Sequence, residues 1–199
     1  MQSNNNMPGG REAPDLIGIY SPVMGSGKSE VAKVLIEEHG YKLVKFAGCL
    51  KDMTRVFLDH LGFEPEAVER MVEGDLKEEV IGPLRGAITT RRLLQTLGTE
   101  WGREQIHSHL WVDVVKARIE NLLSKGHNVV VDDMRFLNEI ELIRSLGGRT
   151  LKVTRPSASN TTNSHPSEGA LDGLEVFDYW LLNKGSLEDL KHMTRSIAN

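Results

Sequence analysis

Short apolar runs alternate along this chain with longer segments in which apolar residues recur every three or four positions. Runs of the first kind are typical of buried strands, and segments of the second kind are typical of helices that bury one face. The runs predict about five strands, one beginning at Leu16 and the others at 41–46, 129–131, 150–154 and 177–182. Because helices separate successive strands, we predict an α/β fold with a parallel sheet flanked by helices.

Residues that favour helix ends mark where several of the predicted helices begin or stop. Gly40 and Gly62 follow helical patterns, and glycine is suited to the left-handed backbone that closes a helix. Ser186 and Asp189 have the spacing of a capping box at the start of the last helix. At 47–61 the pattern predicts a helix with one buried face. That face is expected to contain Leu50, Met53, Val56, Phe57 and Leu61.

Three segments lack a clear apolar period. Residues 1–14 are polar, so we expect a flexible tail before a single domain at 15–199. Residues 64–86 are acidic and are interrupted by proline and glycine, which indicates either a solvated connection or part of a substrate-binding surface. The polar stretch within 156–172 is long for a loop inside a compact domain, and we expect it to form a lid.

The composition is that of an ordinary globular protein, with 199 residues of which 39% are hydrophobic and 26% charged. The net charge of -4 argues against a protein whose main task is to bind nucleic acid. Cys49 is the only cysteine, which excludes an intramolecular disulfide and a cysteine-based zinc cluster. No apolar run approaches the roughly 18 residues of a membrane-spanning helix, and no signal-peptide pattern is present. We therefore expect a soluble, cytoplasmic protein.

A glycine-containing segment, Gly-Ser-Gly-Lys-Ser, joins the first strand to the first helical pattern. Such a loop binds phosphate through its backbone N–H groups, while Lys28 adds a positive charge and the Ser29 hydroxyl can bind Mg²⁺. Pro22 stands where the usual G-x-x-x-x-G-K-[ST] pattern has glycine, and proline has no N–H to donate. We therefore expect the phosphate cradle at 25–29. The predicted ATP-binding residues of this segment are Gly25, Ser26, Gly27, Lys28, Ser29 and Glu30.

Two carboxylates, Asp132 and Asp133, follow the continuous apolar run at 129–131. Ligands of parallel sheets bind beyond the carboxyl ends of the strands, so both side chains are expected beside the phosphate loop. Either carboxylate could hold Mg²⁺ or orient the attacking group, and both roles stay open. Our predicted metal ligands are Ser29 and Asp132. Our predicted catalytic residues are Lys28, Asp132, Asp133 and Arg135.

Two further segments are more specific than the phosphate loop. They are Leu-Gln-Thr-Leu-Gly-Thr-Glu-Trp-Gly-Arg at 94–103 and Asp-Asp-Met-Arg-Phe-Leu-Asn-Glu at 132–139. Together with shorter matches from residue 16 onward, they resemble the deoxynucleoside monophosphate kinase family of tailed bacteriophages, which is similar in fold to adenylate kinase and dephospho-coenzyme A kinase. The resemblance implies a three-layer P-loop NTPase fold, a homodimer, and Mg²⁺-dependent transfer of the ATP γ-phosphoryl group to a deoxynucleoside monophosphate. A phage-encoded enzyme of this kind would work in the host cytoplasm.

The resemblance also directs attention to an acceptor-binding region at 47–111. Arginine binds phosphate in a bidentate manner, so Arg91 or Arg92, Arg103 and Arg135 are candidates for the acceptor phosphate. Gln95 can hydrogen-bond a base edge, and Trp101 and Trp111 either stack on a base or fill the core. Lys51, Thr99 and Glu168 complete the predicted substrate-binding residues, Glu168 together with His165 closing the lid. Arg155 and Asn183 are predicted to contact ATP, at the base of the lid and near the adenine.

Other functions remain as alternatives. Dephospho-coenzyme A kinase, or another small-molecule P-loop kinase, has a similar predicted layout. A GTPase is disfavoured because Asn183-Lys184-Gly185-Ser186 lacks the carboxylate that reads guanine. A nucleic-acid-dependent ATPase is disfavoured by the acidic balance. A zinc site built from His107, His109, His127 or His165 lacks accompanying cysteines or clustered acids.

Overall fold

The computed structural model of the protein describes residues 14–23, 25–156, 171, 174 and 176–198. Its strands are β1 (Leu16–Tyr20), β2 (Lys42–Val44), β3 (Val129–Val131), β4 (Arg149–Thr154) and β5 (Tyr179–Leu182). They form one parallel sheet in the order β2-β3-β1-β4-β5, which confirms the predicted fold class. The predicted tail, apart from Pro14, and the predicted lid, apart from Pro156 and Leu171, lie outside the described residues.

Helices cover both faces of this sheet. They are α1 (Lys28–His39), α2 (Gly48–His60), α3 (Pro65–Val72), α4 (Thr90–Thr96), α5 (Leu110–Ser124), α6 (Leu137–Ser145) and α7 (Leu187–Ala198). Successive strand residues point to opposite faces, so Val129 and Val131 pack in one core with α5 and α6, while Val130 packs in another with α1 and α7. The sheet and the helices on its two faces therefore form three layers. None of the helices in the described residues is long and apolar enough to cross a membrane.

The outer strands are shorter than the sequence predicts. Strand β2 keeps three of the six residues predicted at 41–46, and β5 begins at Tyr179 rather than at residue 177. Just before β5, the Asp178 carboxylate accepts hydrogen bonds from the Thr150 backbone N–H, at 2.8 Å, and from its hydroxyl, at 2.6 Å. The side chain of Asp178 thus replaces the ladder bond that an earlier start of β5 would make.

The predicted buried face of α2 is wrong at three positions. Leu50, Thr54 and Leu58 are the buried residues. Met53, Val56 and Phe57 are 41%, 59% and 41% exposed. A stripe with four-residue spacing faces the protein, and the Thr54 hydroxyl fits it because it donates to the Leu50 carbonyl at 2.8 Å. Helix periodicity alone did not distinguish this stripe from the more apolar one beside it.

Residues 64–86 are not a solvated connection. Pro65 occupies the first turn of α3, where a proline costs no hydrogen bond. Buried side chains from this segment then close a separate small core against the end of α2. Its members are Leu58, Val68, Met71, Val72 and Ile81. We call α3, the 3₁₀ turn Asp75–Glu78 and α4 the small layer. A π-helical segment, Leu97–Ile106, leads from it back to α5.

Candidate active site

The phosphate loop links β1 to α1 and is held in a defined shape. Gly25 and Gly27 have positive φ values of 74° and 100°, which favour glycine. The backbone carbonyl of buried Ser26 accepts a hydrogen bond from the Asn183 side-chain amide at 2.9 Å. Lys28 is the first residue of α1, so the N–H groups of the loop and first turn surround a position suited to an anion.

Pro22 lies in a tight turn before this cradle. The Ser21 hydroxyl donates to the Val23 carbonyl at 2.9 Å, and the Val23 N–H lies 3.3 Å from the same hydroxyl oxygen. The turn therefore uses the Ser21 side chain where the usual pattern relies on a flexible glycine. This arrangement is compatible with the predicted cradle at 25–29.

Lys28 is half-buried among charges of both signs. Burial is the largest influence on its ammonium group and lowers the pKa of Lys28, and the positive charge of Arg135 acts in the same direction. The carboxylates of Asp132 and Asp133 oppose that shift, while Lys45 adds to it. Three cations and two carboxylates therefore meet at the carboxyl edge of the central strands.

Asp132 has the features of a metal-binding carboxylate. It is 7% exposed, and its Oδ1 atom is buried without a hydrogen-bond partner among the described residues. Its Oδ2 atom lies 3.7 Å from the Lys45 ammonium nitrogen. A buried carboxylate oxygen without a partner is costly, and a hard cation such as Mg²⁺ would compensate it. The predicted metal ligands therefore fit the ion chemically, with the exposed Ser29 hydroxyl as the second oxygen.

Asp133 is engaged differently from its neighbour. Its two carboxylate oxygens accept hydrogen bonds from the backbone N–H groups of Phe46, at 2.9 Å, and Ala47, at 3.0 Å. These bonds tie the end of β3 to the start of α2. Burial raises the pKa of Asp133, although both backbone hydrogen bonds oppose the shift. Its carboxylate is thus occupied in positioning the wall of the site.

A cleft of about 300 Å³ runs from the phosphate loop and the end of β3 to the small layer. It brings together most of the residues predicted from the sequence for catalysis, metal binding and acceptor binding. These are Lys28, Ser29, Lys51, Arg91, Gln95, Thr99, Arg103, Trp111, Asp132, Asp133 and Arg135. A cleft of this size, with charged groups converging from several elements, is typical of a small-molecule site.

Several predicted site residues do not line this cleft. Arg92 is exposed on α4, and Trp101 is 37% exposed with its ring 6.1 Å from that of Trp111. Arg155 is exposed after β4, and Asn183 is buried beneath the phosphate loop. The others outside the cleft lining are Gly25, Ser26, Gly27 and Glu30, which belong to the loop and the first turn of α1. Glu168 and His165 lie outside the described residues.

Several contacts within the protein hold the guanidinium of Arg103. It forms an ion pair with Glu139, and its side chain is 12% exposed against 2% for that of Glu139. It also donates to the Ser108 carbonyl at 3.2 Å and lies 3.9 Å from the centre of the Phe136 ring. Burial raises the pKa of Glu139 to about 7, even though the Arg103 charge opposes the shift. The pair fixes the wall of the cleft around α6.

Two of the cations predicted to bind the acceptor line the cleft, each beside a carboxylate. The Lys51 ammonium lies 2.6 Å from a carboxylate oxygen of Glu73. Arg91 forms an ion pair with Glu78 in the small layer. Both pairs are at least partly exposed, so an incoming anion can compete with the carboxylates at small cost.

Trp111 forms part of the floor rather than an exposed stacking surface. It is 3% exposed, and its indole N–H donates to the Gly98 carbonyl at 2.8 Å. A Cβ atom on Gly102 would lie only 2.5 Å from the indole nitrogen, so glycine is required for this approach. Gly98 and Gly102 both belong to the π-helical segment, which explains why the sequence there mixes glycine with aromatic residues.

Nine residues of the cleft lining were not among the predicted site residues. They are Lys45, Phe46, Ala47, Leu50, Lys77, Leu94, Gly98, Phe136 and Glu139. Lys45 directly follows β2, so the rule that placed Asp132 at the carboxyl edge of the sheet also applies to it. Glu139 lies in the first turn of α6 and accepts the backbone N–H of Arg135 at 2.6 Å. Lys77 has no distinguishing signal in the sequence.

Comparisons with known proteins agree with this geometry. Residues 29–194 match the family model described as deoxynucleotide monophosphate kinase. A protein of Acanthamoeba polyphaga mimivirus, provisionally named as a deoxynucleotide monophosphate kinase, is 28% identical over 184 residues, which cover 87% of this chain and 91% of the relative. The deoxynucleotide monophosphate kinase of Escherichia phage RB69 is 30% identical over 113 residues, covering 56% of this chain and 46% of that protein.

Among solved structures, dephospho-CoA kinase from Campylobacter jejuni aligns with 94% of this chain and 96% of its own, at 13% identity and a TM-score of 0.45. The family model spans most of the sequence, from Ser29 in the phosphate loop to the last helix. The chain belongs to the deoxynucleotide monophosphate kinase family.

Proposed function

We propose that the protein transfers the γ-phosphoryl group of ATP to the 5′-phosphate of a deoxynucleoside monophosphate, which gives a deoxynucleoside diphosphate and ADP. The observation that carries the proposal is that a single cleft contains Lys28 of the phosphate loop at one end and Lys51 and Arg91 at the other. Each of the two phosphate-bearing substrates thus has cations of its own within one cleft.

The donor end is formed by the phosphate loop and the first turn of α1. The backbone N–H groups at 25–29 and the Lys28 ammonium bind the β- and γ-phosphates of ATP. Because Asn183 holds the Ser26 carbonyl, the cradle is shaped before the nucleotide arrives, and little ordering is needed on binding.

Ser29 and Asp132 are the residues that hold Mg²⁺ in this proposal. The ion, when bound, neutralises phosphate charge as negative charge builds up during transfer. Asp132 contributes the buried oxygen that has no partner among the described residues. Few protein ligands are needed, because phosphate oxygens and water supply most of the magnesium coordination in such sites.

The acceptor end lies in the region at 47–111. The acceptor phosphate is already ionised near neutral pH, so its attack on the γ-phosphorus needs charge neutralisation and alignment rather than a strong base. As the new P–O bond forms, the bond from the γ-phosphorus to the ADP oxygen breaks. Lys51, Arg91 and Arg135 neutralise the two approaching polyanions, and Lys45, beside Asp132, lies between the two ends.

The remaining cleft residues suit a nucleoside. Leu50, Phe46 and Leu94 provide apolar surface, and Gln95 and Thr99 provide hydrogen-bonding groups. Trp111 braces this wall through the Gly98 carbonyl. In our proposal, Arg103 is a positioning residue, because its guanidinium is already bound to Glu139 and lies against Phe136.

A screen of phosphate acceptors tests this function. The purified protein is incubated with ATP, Mg²⁺ and, in separate reactions, each common deoxynucleoside monophosphate, each ribonucleoside monophosphate and dephospho-coenzyme A. We expect diphosphate products from one or more of the deoxynucleotides. Phosphorylation of dephospho-coenzyme A alone, or ATP hydrolysis that no acceptor stimulates, would contradict the proposal.

A further inference from the structure

Lys77 is a cleft residue without an assigned role. It lies in the 3₁₀ turn Asp75–Glu78, and the preceding Leu76 packs against the small core of Val72 and Ile81. This packing fixes the backbone of the turn, while the Lys77 side chain, half-buried, lines the cleft. Its position is therefore set by the small layer rather than by a flexible loop.

The surroundings of Lys77 carry an excess of positive charge. Burial lowers the pKa of Lys77, and the charges of Lys51, Arg91 and Lys45 lower it further, with only Glu73 acting strongly in the opposite direction. Within the described part of the chain, no carboxylate is within ion-pair distance of the Lys77 ammonium.

The nearby carboxylates are already shared with other cations. Glu73 binds Lys51 at 2.6 Å and Arg55 at 3.1 Å, and Glu78 binds Arg91. A lysine kept in a partly dry, cationic cleft without a carboxylate is unfavourable in the absence of an anion, and such arrangements are concentrated at binding sites. A phosphate group carries the negative charge that this part of the cleft lacks.

We propose that Lys77 binds the phosphate group of the acceptor nucleotide, in an anion site that it forms with Lys51 and Arg91. The inference rests on the proposed function and adds a residue that selects a phosphomonoester over the corresponding nucleoside. Lys77 comes from the small layer, whereas Lys28 comes from the phosphate loop and the first turn of α1.

The charges that act on the two lysines support the division between donor and acceptor. After burial, which is the largest influence on both lysines, the charges that act most strongly on Lys28 are those of Arg135, Asp132, Asp133 and Lys45. The charges that act most strongly on Lys77 are those of Lys51, Glu73, Arg91 and Lys45. Only Lys45 belongs to both sets. The cleft therefore holds two groups of charges that meet at Lys45, and Lys77 belongs to the group away from the phosphate loop.

The test is to compare Lys77→Gln with the unaltered protein and with Lys116→Gln, which removes an exposed lysine from α5. Calorimetry measures the affinity for a deoxynucleoside monophosphate that the enzyme accepts and for the same deoxynucleoside without phosphate, and kinetics give the KM for each substrate.

We expect Lys77→Gln to weaken binding of the monophosphate at least about tenfold, as for a lost charge-assisted hydrogen bond. Binding of the deoxynucleoside and the KM for ATP should stay within about twofold of the unaltered values. Lys77→Arg should restore most of the affinity, and Lys116→Gln should change none of these quantities.

A second measurement uses the unaltered protein and so does not depend on the folding of a variant. Acetylation of each lysine is followed by mass spectrometry with saturating monophosphate or saturating deoxynucleoside. We expect the monophosphate, and not the deoxynucleoside, to protect Lys77. The inference would be overturned if both ligands protected Lys77 equally or if the monophosphate did not protect it. It would also be overturned if Lys77→Gln lost affinity for ATP alone. If no deoxynucleotide is phosphorylated, the proposed function itself fails; normal kinase activity with intact monophosphate affinity in Lys77→Gln removes only the role of Lys77.

Discussion

The side-chain amide of Asn183 donates a hydrogen bond to the backbone carbonyl of Ser26 across 2.9 Å, and both residues are buried. This contact joins the residue after β5 to the phosphate loop, although the two positions are far apart in sequence. The Asn183 N–H in turn donates to the Thr154 carbonyl at 2.7 Å, which anchors it to the end of β4. The shape of the loop thus depends on the far half of the sheet, and Asn183 lies beneath the phosphate loop.

The contact makes Gly27 sensitive to any side chain. Its φ is 100°, and an added Cβ would lie 2.8 Å from the Asn183 amide nitrogen and 2.8 Å from a Leu190 methyl group. Gly27→Ala should therefore lower the free energy of unfolding by more than about 2 kcal/mol and raise the KM for ATP at least about tenfold. Urea unfolding and steady-state kinetics measure the two effects.

Gly40→Ala provides the matched control for that substitution. Gly40 has a φ of 72° but has no atom within 4 Å of an added Cβ. Gly40→Ala should therefore lower the free energy of unfolding by about 1 kcal/mol through backbone strain and leave the KM for ATP unchanged. An unaltered KM in Gly27→Ala would contradict the account of the loop.

The local features of the fold were predictable from the sequence, whereas the long-range ones were not. Three consecutive valines at 129–131 marked β3, and the left-handed conformations of Gly40 and Gly62 follow from glycine itself. The exposure of Met53 and Phe57 depends instead on which stripe of α2 packs against the small layer. Periodicity fixes the spacing of such a stripe but not the direction in which it faces.

The candidate site also contains residues that local sequence predicts and residues whose roles depend on long-range contacts. Lys28 lies in a short motif and Asp132 directly follows a strand, and strand ends at one edge of a parallel sheet necessarily meet. The partners of Arg103 and the role of Asn183 depend on contacts between distant segments. The position of Lys77 depends on the small core, which an acidic and interrupted sequence did not reveal.

Substitution by asparagine should reduce activity at Asp132 but stability at Asp133. Asp132→Asn should leave the free energy of unfolding within about 1 kcal/mol and reduce turnover at least about a hundredfold, with a higher Mg²⁺ requirement. Asp133→Asn should destabilise the fold by about 1–3 kcal/mol, because an amide cannot accept both the Phe46 and the Ala47 N–H bonds. Unfolding curves and Mg²⁺ titrations of activity separate the two, and full activity in Asp132→Asn would contradict its role as a metal ligand.

Glu139 should make the stability of the protein depend on pH. Its pKa rises from an ordinary value of 4.5 to about 7 on folding, so between these values the native state binds more protons than the unfolded chain. Its contribution to stability therefore falls as the pH rises through that window, by on the order of 3 kcal/mol. Urea unfolding from pH 4.5 to pH 8 measures this trend.

Glu139→Gln should remove this part of the pH dependence, because glutamine does not titrate. Glu141→Gln, at an exposed position on the same helix, should keep it. The informative quantity is the difference in unfolding free energy between the unaltered protein and each variant at every pH. A difference for Glu139→Gln that stays constant across the window would show that the buried carboxyl does not titrate there.

The central claim is tested most directly by following the γ-phosphorus of ATP. ATP labelled with radioactive phosphorus at the γ position is incubated with an accepted deoxynucleoside monophosphate and with the unaltered protein, Lys28→Ala or Lys33→Ala, the last of which changes an exposed lysine on the same helix. We predict that label enters the β position of the deoxynucleoside diphosphate with the unaltered protein and Lys33→Ala. With Lys28→Ala, the rate of labelling should fall at least about a hundredfold. Labelled diphosphate formed at an undiminished rate by Lys28→Ala, or label found only in inorganic phosphate with the unaltered protein, would contradict the account.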